Sequence, residues 1–178
     1  ALQPDAVLAP GSGVLAPLIK ASPSLPIVFV NVIDPVGAGF VESLARPGSN
    51  ATGFTQFEYS TSGKWLELLK QIAPHVTRAA VLRDASLPSG MGQFAAVQAV
   101  TTAIGIEVLP VSVRDPVEIE HGVTAMARKG NCGLVVTGSG FAVRHRDLII
   151  ALAVRHKLPA VYYERFFVAA GGLISYGP

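Results

Sequence analysis

The chain has 178 residues, of which 50% are hydrophobic, and this is enough to bury the core of one or two compact units. Charged residues make up only 15% and the net charge is +2, so no basic stripe marks a nucleic-acid-binding face and no nucleic-acid partner is expected. The longest apolar stretches have the length of strands, so no transmembrane helix is predicted, and the single cysteine excludes an internal disulfide.

Short β-rich runs alternate with helical runs along the chain. The predicted strands are Asp5–Ala9, Ile27–Val32, Ala79–Arg83, Glu107–Val113, Leu134–Thr137 and Ala160–Tyr163. The predicted helices are Gly13–Ala21, Ser60–Ala73, Gly90–Ile104, Pro116–Arg128 and Phe141–His156. Such alternation is typical of an α/β fold in which helices cross over between the strands of a parallel sheet.

The pattern changes near residues 50–60. Two predicted strands and one helix precede this point, whereas four strands and four helices follow it in regular alternation. The chain also enters a strand almost at once, and its last residues, from Gly171, begin an element that then stops. We therefore expect an internal fragment of a longer protein, in which the chain crosses between two lobes near Phe54–Ser60.

A glycine-rich turn follows the first predicted strand. The segment Gly11-Ser-Gly-Val-Leu-Ala16 fits the dinucleotide pattern Gly-x-Gly-x-x-Ala, and Asp34 follows the next strand roughly 20 residues further on. An ordinary glycine-rich helix start would have the same letters. A third interpretation is that exposed N–H groups at this helix start, with Ser12 and Gly13, hold a ligand carboxylate or another anion.

Two further loops follow predicted strands. The Asp34-Pro35 pair could supply a catalytic acid, a ligand contact or a turn cap. A ligand or hinge-side role is as consistent with its position as the cap, and Asp34 would then accept from a ligand amino group. The segment Thr137-Gly-Ser-Gly140 resembles the first glycine-rich turn and either supplies N–H and hydroxyl donors or forms an ordinary turn. The segment from Asp84 to Gly90 also lies where a ligand contact is feasible.

No arrangement for catalysis or metal binding is visible. The four histidines are scattered without the i, i+4 spacing of metal-binding helices, and no serine lies in a Gly-x-Ser-x-Gly elbow. No carboxylate pair is placed for acid–base work. We therefore predict no catalytic residue, metal or cofactor. The aromatic residues after the last long strand predict either core packing or a ligand-facing wall, to which Tyr162 would contribute.

The stretch after the second strand is distinctive. Asp34-Pro-Val-Gly-Ala-Gly-Phe-Val-Glu-Ser-Leu-Ala-Arg-Pro-Gly-Ser-Asn-Ala-Thr-Gly-Phe54 resembles a segment of the substrate-binding proteins of one class of ABC importers. Gly63-Lys-Trp-Leu-Glu-Leu-Leu-Lys-Gln-Ile-Ala-Pro74 resembles the helix that follows in that family. Ala169-Ala-Gly-Gly-Leu-Ile-Ser-Tyr-Gly177 resembles its return segment. Ser49 departs from the family pattern, which has glycine there.

The resemblance implies a doubly wound α/β fold of the two-lobed type I periplasmic binding protein kind, with the first lobe incomplete. Residues 1–54, with a return segment at 164–178, would belong to lobe one, and residues 55–163 to lobe two. The implied function is capture of a small solute, an amino acid or similar organic anion, outside the cytoplasmic membrane. Hinge closure of the lobes would precede delivery to an ABC permease. The candidate ligand-binding residues are Gly11, Ser12, Gly13, Asp34, Pro35, Thr55, Phe57, Thr137, Ser139, Gly140 and Tyr162.

Two alternatives remain open at this stage. The first glycine-rich turn and Asp34 would suit an NAD(P)-linked α/β enzyme, and the effector-sensing domain of a transcription regulator would share the fold. The location implied by the resemblance is the periplasm or the cell surface. We also expect the fragment to self-associate through the lobe-one strands, because their open face would otherwise meet water.

Overall fold

The computed structural model describes residues 3–178. Ala1 and Leu2, on which the expectation of an immediate strand partly rests, lie outside the described residues. The chain divides into two compact units, of which one ends at Tyr59 and the other begins at Ser60. The strands Ile27–Val32 and Arg78–Arg83 belong to two separate sheets.

Within the described residues 3–59, the first unit contains three parallel strands and one helix. Its elements are β1 (Val7–Pro10), α1 (Ser12–Ala21), β2 (Ile27–Val32) and β3 (Ala51–Thr55), with strand order β1-β2-β3. One face of the sheet buries Ala9, Phe29 and Ala51 in a cluster with Leu15 of α1. Successive side chains of a strand point to opposite faces, so the residues between the buried ones lie on the other face of the sheet. That face is exposed. Leu8 is 62% exposed there and Phe54 73%.

The second unit contains a five-stranded parallel sheet in the order β5-β4-β6-β7-β8. After a 3₁₀ turn at Tyr59–Thr61, its elements are α2 (Ser62–Ile72), β4 (Arg78–Arg83), α3 (Pro88–Ala99), α4 (Thr101–Ile104), β5 (Glu107–Ser112), α5 (Pro116–Ala127), β6 (Cys132–Val136), α6 (Gly140–Arg144), α7 (Arg146–Arg155), β7 (Ala160–Tyr162), α8 (Arg165–Ala169) and β8 (Ile174–Ser175).

Local sequence explains most of these elements. The helical spacing of Trp65, Leu68, Leu69 and Ile72 predicts a buried stripe on α2. Trp65 and Leu69 are buried, whereas Ile72, the last residue of the helix, is 41% exposed. Every residue of β6 is buried, which is typical of a strand inside a parallel sheet. Helix α5 begins at Pro116, and the Asp115 carboxylate accepts from the N–H of Val117 at 2.6 Å.

Several predicted boundaries were wrong. Strand β3 and helix α8 were not predicted, and the predicted helix at residues 90–104 ends at Ala99 before a separate turn of helix, α4. The predicted helix at residues 141–156 is interrupted at His145. Strand β3 was missed because Gly53 is a poor strand residue by propensity. Glycine is nevertheless required at position 53, because a Cβ there would overlap the carbonyl oxygen of Phe29 on the neighbouring strand.

The C-terminal segment differs from the expected return to lobe one. In the structure, β8 pairs with β7 in the second sheet, with Ile174 opposite Val161 and Ser175 opposite Tyr162. The parallel pairing takes up the free edge of β7, and the N–H of Tyr176 continues it by donating to the carbonyl of Tyr162 at 3.0 Å. The expected lobe boundaries themselves stay a prediction.

The fold class is α/β with parallel sheets, as the sequence predicts. The helices that the structure describes are all too short or too polar to cross a bilayer. In both sheets the strands run parallel, so their carboxyl ends, where open α/β folds place ligands, meet at one edge of each sheet.

Candidate functional site

The candidate residues of the first unit follow the carboxyl ends of its three strands. Gly11–Gly13 follows β1, Asp34 and Pro35 follow β2, and Thr55 ends β3 with Phe57 just beyond it. The structure therefore places these candidates at one edge of the three-stranded sheet. They were collected from separate segments of the sequence, and the parallel topology is what gives them a common edge.

The turn at Gly11 connects β1 to α1. Gly11 has φ +75°, a left-handed conformation that favours glycine, and its N–H donates to the carbonyl of Val30 at 2.9 Å. This N–H is therefore occupied. Ser12 is buried and Gly13 is exposed, and both belong to the first turn of α1, whose N–H groups have no partner within the helix. Ser12 and Gly13 remain the candidates for holding an anion.

Asp34 organises the loop that follows β2. One carboxylate oxygen accepts from the N–H of Gly37 at 2.7 Å, and the other accepts from the N–H of Tyr59 at 3.1 Å. The adjacent Pro35 is buried, and its carbonyl accepts from the N–H of Phe40 at 2.9 Å. Asp34 therefore caps its own loop, and the ligand contact predicted for Asp34 and Pro35 stays a prediction.

Thr55 and Phe57 also take part in the local hydrogen bonding. The Thr55 hydroxyl lies 3.3 Å from the carbonyl oxygen of Val32 and 3.4 Å from that of Phe57, and the Phe57 carbonyl accepts from the N–H of Asp34 at 2.9 Å. The Phe57 side chain is buried. These bonds hold the end of β3 to the loop that follows β2.

Tyr59 also contacts this loop. Nothing local in the sequence marks Tyr59, because its contact with Asp34 spans 25 residues. Burial, and secondarily the Asp34 charge, raises the pKa of Tyr59 to about 12.

The second unit places Thr137 and Gly138 at the carboxyl end of β6. Thr137 is fully buried, and its hydroxyl donates to the carbonyl of Leu82 at 2.8 Å. Gly138 is paired through both of its backbone groups with the side chain of Gln93 in α3. The sequence indicated the loop but not Gln93, because nothing in a predicted helix marks a residue that bonds across 45 positions.

Ser139 and Gly140 complete this loop. The Ser139 hydroxyl oxygen accepts from the N–H of Ala142 at 3.0 Å, so this side chain caps α6. Gly140 is exposed, and a Cβ placed on it would meet no atom within 4 Å. Ser139 therefore acts as a helix cap, as the ordinary-turn interpretation expects, and a ligand contact at Gly140 stays a prediction.

Asp84 lies at the carboxyl end of the neighbouring strand, β4. It is only 1% exposed, and one carboxylate oxygen accepts from the N–H of Ser86 at 2.9 Å and from its hydroxyl at 2.6 Å. The first turn of helix α3 packs closely against this strand end. A Cβ on Gly90 would overlap the Asp84 carbonyl oxygen. The segment that sequence analysis marked as a feasible ligand contact therefore packs against the end of its strand.

Tyr162 belongs to the core of the second unit. Its side chain is 1% exposed, and its ring stacks on that of Phe167 with centroids 5.0 Å apart. Burial raises the pKa of Tyr162 to about 12. The neighbouring Tyr163 is also buried and contacts the rings of Phe166 and Phe167 edge-on. These contacts favour the core interpretation of the aromatic cluster over the ligand-facing wall.

No site of the metal-binding type is assembled within residues 3–178. The histidine, cysteine, aspartate and glutamate side chains in this range do not gather in groups of three or more. The Cys132 thiol is buried, and that burial raises its pKa, which disfavours the reactive thiolate. The arrangement therefore offers backbone N–H groups and hydroxyls, which suit recognition of a polar solute by hydrogen bonds.

Comparison with known proteins gives a consistent result. The model of a family described as "ABC transporter substrate binding protein" matches residues 1–178. A curated relative from Clostridioides difficile, described as a tyrosine-binding protein, is 26% identical over 158 residues, which cover 89% of this chain and 45% of the relative.

Solved structures show the same likeness. An ABC domain from Streptococcus pneumoniae in complex with L-Trp matches with a TM-score of 0.86 and 25% identity, over 96% of this chain and 57% of that one. The ligand-free, open structure of a substrate-binding protein with adhesive properties from Clostridium difficile matches with a TM-score of 0.62 and 26% identity, over 95% of this chain and 56% of that one. The chain thus spans about half the length of the relatives that it matches.

Proposed function

The chain belongs to the family of ABC transporter substrate-binding proteins, and we propose on that basis that it is part of a protein that captures a small solute for an ABC importer. The observation that carries the proposal is the family match over all 178 residues. The sheet edges support it, because both units carry glycine- and hydroxyl-bearing loops at the carboxyl ends of parallel strands.

We propose an amino acid as the solute, and among amino acids an aromatic one. Two similar proteins are described as tyrosine-binding and as a complex with L-Trp. In this chain, the turns around Ser12 and Ser139 offer N–H and hydroxyl groups, which suit a carboxylate without a basic side chain. The ligand-binding residues are proposed to be Gly11, Ser12, Gly13, Asp34, Pro35, Thr55, Phe57, Thr137, Ser139, Gly140 and Tyr162.

The candidates differ in which of their polar groups are already bonded within the protein. We propose that Ser12, Gly13 and Gly140 contact a ligand directly, since the backbone at each is at the start of a helix. Asp34, Pro35, Thr55 and Thr137 are engaged in hydrogen bonds that shape the loops, so we propose that they act by holding the loop backbone. Tyr162 would act through packing, because its ring is already covered.

Family membership supports proposals for the location, the partner and the mechanism of the protein. We propose that the protein works outside the cytoplasmic membrane, in the periplasm or at the cell surface, and delivers its solute to an ABC permease. A ligand that bridges two lobes would favour their closed state, and no bond need be made or broken. The dinucleotide alternative has less support, because the family model that matches the whole chain is that of ABC transporter substrate-binding proteins.

Isothermal titration calorimetry on the full-length protein tests the proposal. The panel consists of L-tyrosine, L-tryptophan, L-aspartate as a non-aromatic control, and NAD. We expect micromolar or tighter binding of an aromatic amino acid and no heat with NAD. Binding of L-aspartate alone would retain the transport function but overturn the aromatic preference. Binding of NAD without any amino acid would reverse the proposal in favour of an enzyme.

A further inference from the structure

We propose that Gln93 is the positioning residue of the loop Thr137–Gly140, and that ligand affinity depends on its carboxamide. The inference rests on the proposed function, since it assigns to that loop a role in ligand binding. Gln93 lies in the second turn of α3, whereas the loop follows β6, so the contact joins two segments 45 residues apart.

Three hydrogen bonds define the contact. The Gln93 amide nitrogen donates to the carbonyl of Gly138 at 3.0 Å and to the carbonyl of Ser89 at 2.9 Å. The Gln93 side-chain oxygen accepts from the N–H of Gly138 at 2.7 Å. A single side chain thus pairs with both backbone groups of Gly138, much as a neighbouring strand would, and it fixes the direction of the peptide planes on either side.

Burial makes this pairing necessary. Gln93 is 0% exposed and Gly138 is buried, so neither can exchange its partner for water without opening the structure. A buried donor or acceptor that loses its partner keeps its full desolvation cost. The carboxamide is required because it is both a donor and an acceptor, and the shorter side chain of asparagine would not reach as far.

The position of Gln93 is itself set by the start of α3. Gly90, three residues earlier, packs so closely on the end of β4 that a Cβ would overlap the Asp84 carbonyl oxygen. Ser89 is buried beside it. Helix α3 is therefore held against the sheet at this turn, and Gln93 transmits that fixed position to Gly138. Ser139 and Gly140, the proposed ligand contacts, are the next two residues along the chain.

Two variants of the full-length protein test the inference, with L-tryptophan as the probe. Gln93→Glu keeps the shape of the side chain but replaces its NH₂ donor with a second acceptor oxygen. Gln93→Met keeps the length of the side chain and removes both the donor and the acceptor. The matched control is Gln98→Glu, which makes the same change on the exposed side of the same helix. Affinity is measured by calorimetry on folded protein, folding by circular dichroism, and the Gly138 amide by its hydrogen-exchange rate.

At neutral pH, we expect both Gln93 variants to bind L-tryptophan at least about tenfold more weakly, and the Gly138 amide to exchange faster. At about pH 5 the glutamate variant should recover much of its affinity. A buried glutamate holds its proton to higher pH, and the protonated carboxyl again donates to one backbone group and accepts from the other. Gln93→Met should not recover. The affinity of the wild type is measured at both pH values as well, so that pH effects from other ionisable groups, such as Asp84, are subtracted.

The outcomes separate the two levels of inference. A wild type that binds neither L-tryptophan nor L-tyrosine contradicts the proposed aromatic solute, and one that binds no amino acid of the panel contradicts the proposed function, whatever the Gln93 variants do. If the wild type binds and a folded Gln93→Met protein binds equally well, the positioning role is wrong and Gln93 serves stability alone. If Gln93→Glu loses affinity equally at both pH values, ligand binding does not depend on a side chain that both donates to and accepts from the backbone of Gly138. The inference is then wrong.

Discussion

The indole N–H of Trp65 donates to the carbonyl oxygen of Tyr176 at 2.7 Å, across 111 positions in the sequence. Trp65 is fully buried in the first turns of α2, and Tyr176 follows β8, the edge strand of the second sheet. The contact ties the C-terminal segment to the helix that opens this unit. It also explains how an edge strand of only two residues is held in place.

Trp65→Phe should loosen the C-terminal segment. The substitution removes the donor and leaves a carbonyl without its partner, which we expect to cost about 1–3 kcal/mol of unfolding free energy. Urea denaturation followed by circular dichroism measures that cost, and hydrogen exchange should show faster exchange of the Tyr176 amide, which bonds to Tyr162. Tyr176→Phe is the control, since it keeps the carbonyl. Equal stability of wild type and Trp65→Phe would show that the bond contributes nothing.

Asp34→Asn separates a loop cap from a ligand contact. Asparagine has one acceptor oxygen, so one of the N–H groups of Gly37 and Tyr59 loses its partner, and we expect a loss of about 1–3 kcal/mol in stability. The exposed Asp5→Asn is the matched control. If Asp34→Asn lowers ligand affinity at unchanged stability, the carboxylate contacts the ligand directly and the loop-cap interpretation is wrong.

Gly90→Ala should destabilise the second unit, because the added Cβ would overlap the Asp84 carbonyl oxygen and the backbone would have to move. Overpacking of this kind costs about 1–3 kcal/mol. Gly140→Ala is the comparison, since a Cβ there meets no atom within 4 Å. Thermal unfolding of both variants checks the difference. A Gly90→Ala protein as stable as Gly140→Ala would mean that α3 is not held against β4 as described.

Alkaline pH should destabilise the protein through its buried tyrosines. Burial raises the pKa of Tyr162 to about 12, whereas tyrosine in an unfolded chain titrates near pH 10. The stabilising effect of the protonated hydroxyl is therefore complete below about pH 10 and is lost as the pH rises through about 12. Denaturation at a series of pH values should show a shallower decline for Tyr162→Phe. An unchanged decline would contradict burial of this hydroxyl.

Self-association through the first sheet remains a prediction. Leu8 and Phe54 are 62% and 73% exposed on the uncovered face of the sheet, and such faces tend to be covered by a partner. We expect sedimentation of the 178-residue chain to show oligomers that the double variant Leu8→Lys, Phe54→Ser abolishes. Leu173→Lys, at a residue also 62% exposed but in the second unit, is the control. A monomer at all concentrations would refute the prediction.

The sequence predicted much of the fold and less of the candidate site. Strand β2 was predicted at its observed bounds and α5 to within one residue, because apolar runs and a capping Asp115 before Pro116 are local signals. Strand β3 was missed, because a strand containing Gly53 is recognisable only once Phe29 lies beside it. The pairing of β8 with β7 was also missed, because an edge strand of two residues is too short to show a hydrophobic periodicity.

The sequence by itself determined the family, the α/β class and the loops that follow the strands, because glycines, turn residues and hydrophobic periodicity act over a few neighbouring residues. Only the tertiary structure decided what the polar groups in those loops do. It showed that Asp34 caps its own loop, that Tyr162 packs on Phe167, and that Gln93 pairs with Gly138. Each of these contacts depends on which strands and helices lie side by side, and hydrogen bonds across such distances have no local pattern by which a sequence would reveal them.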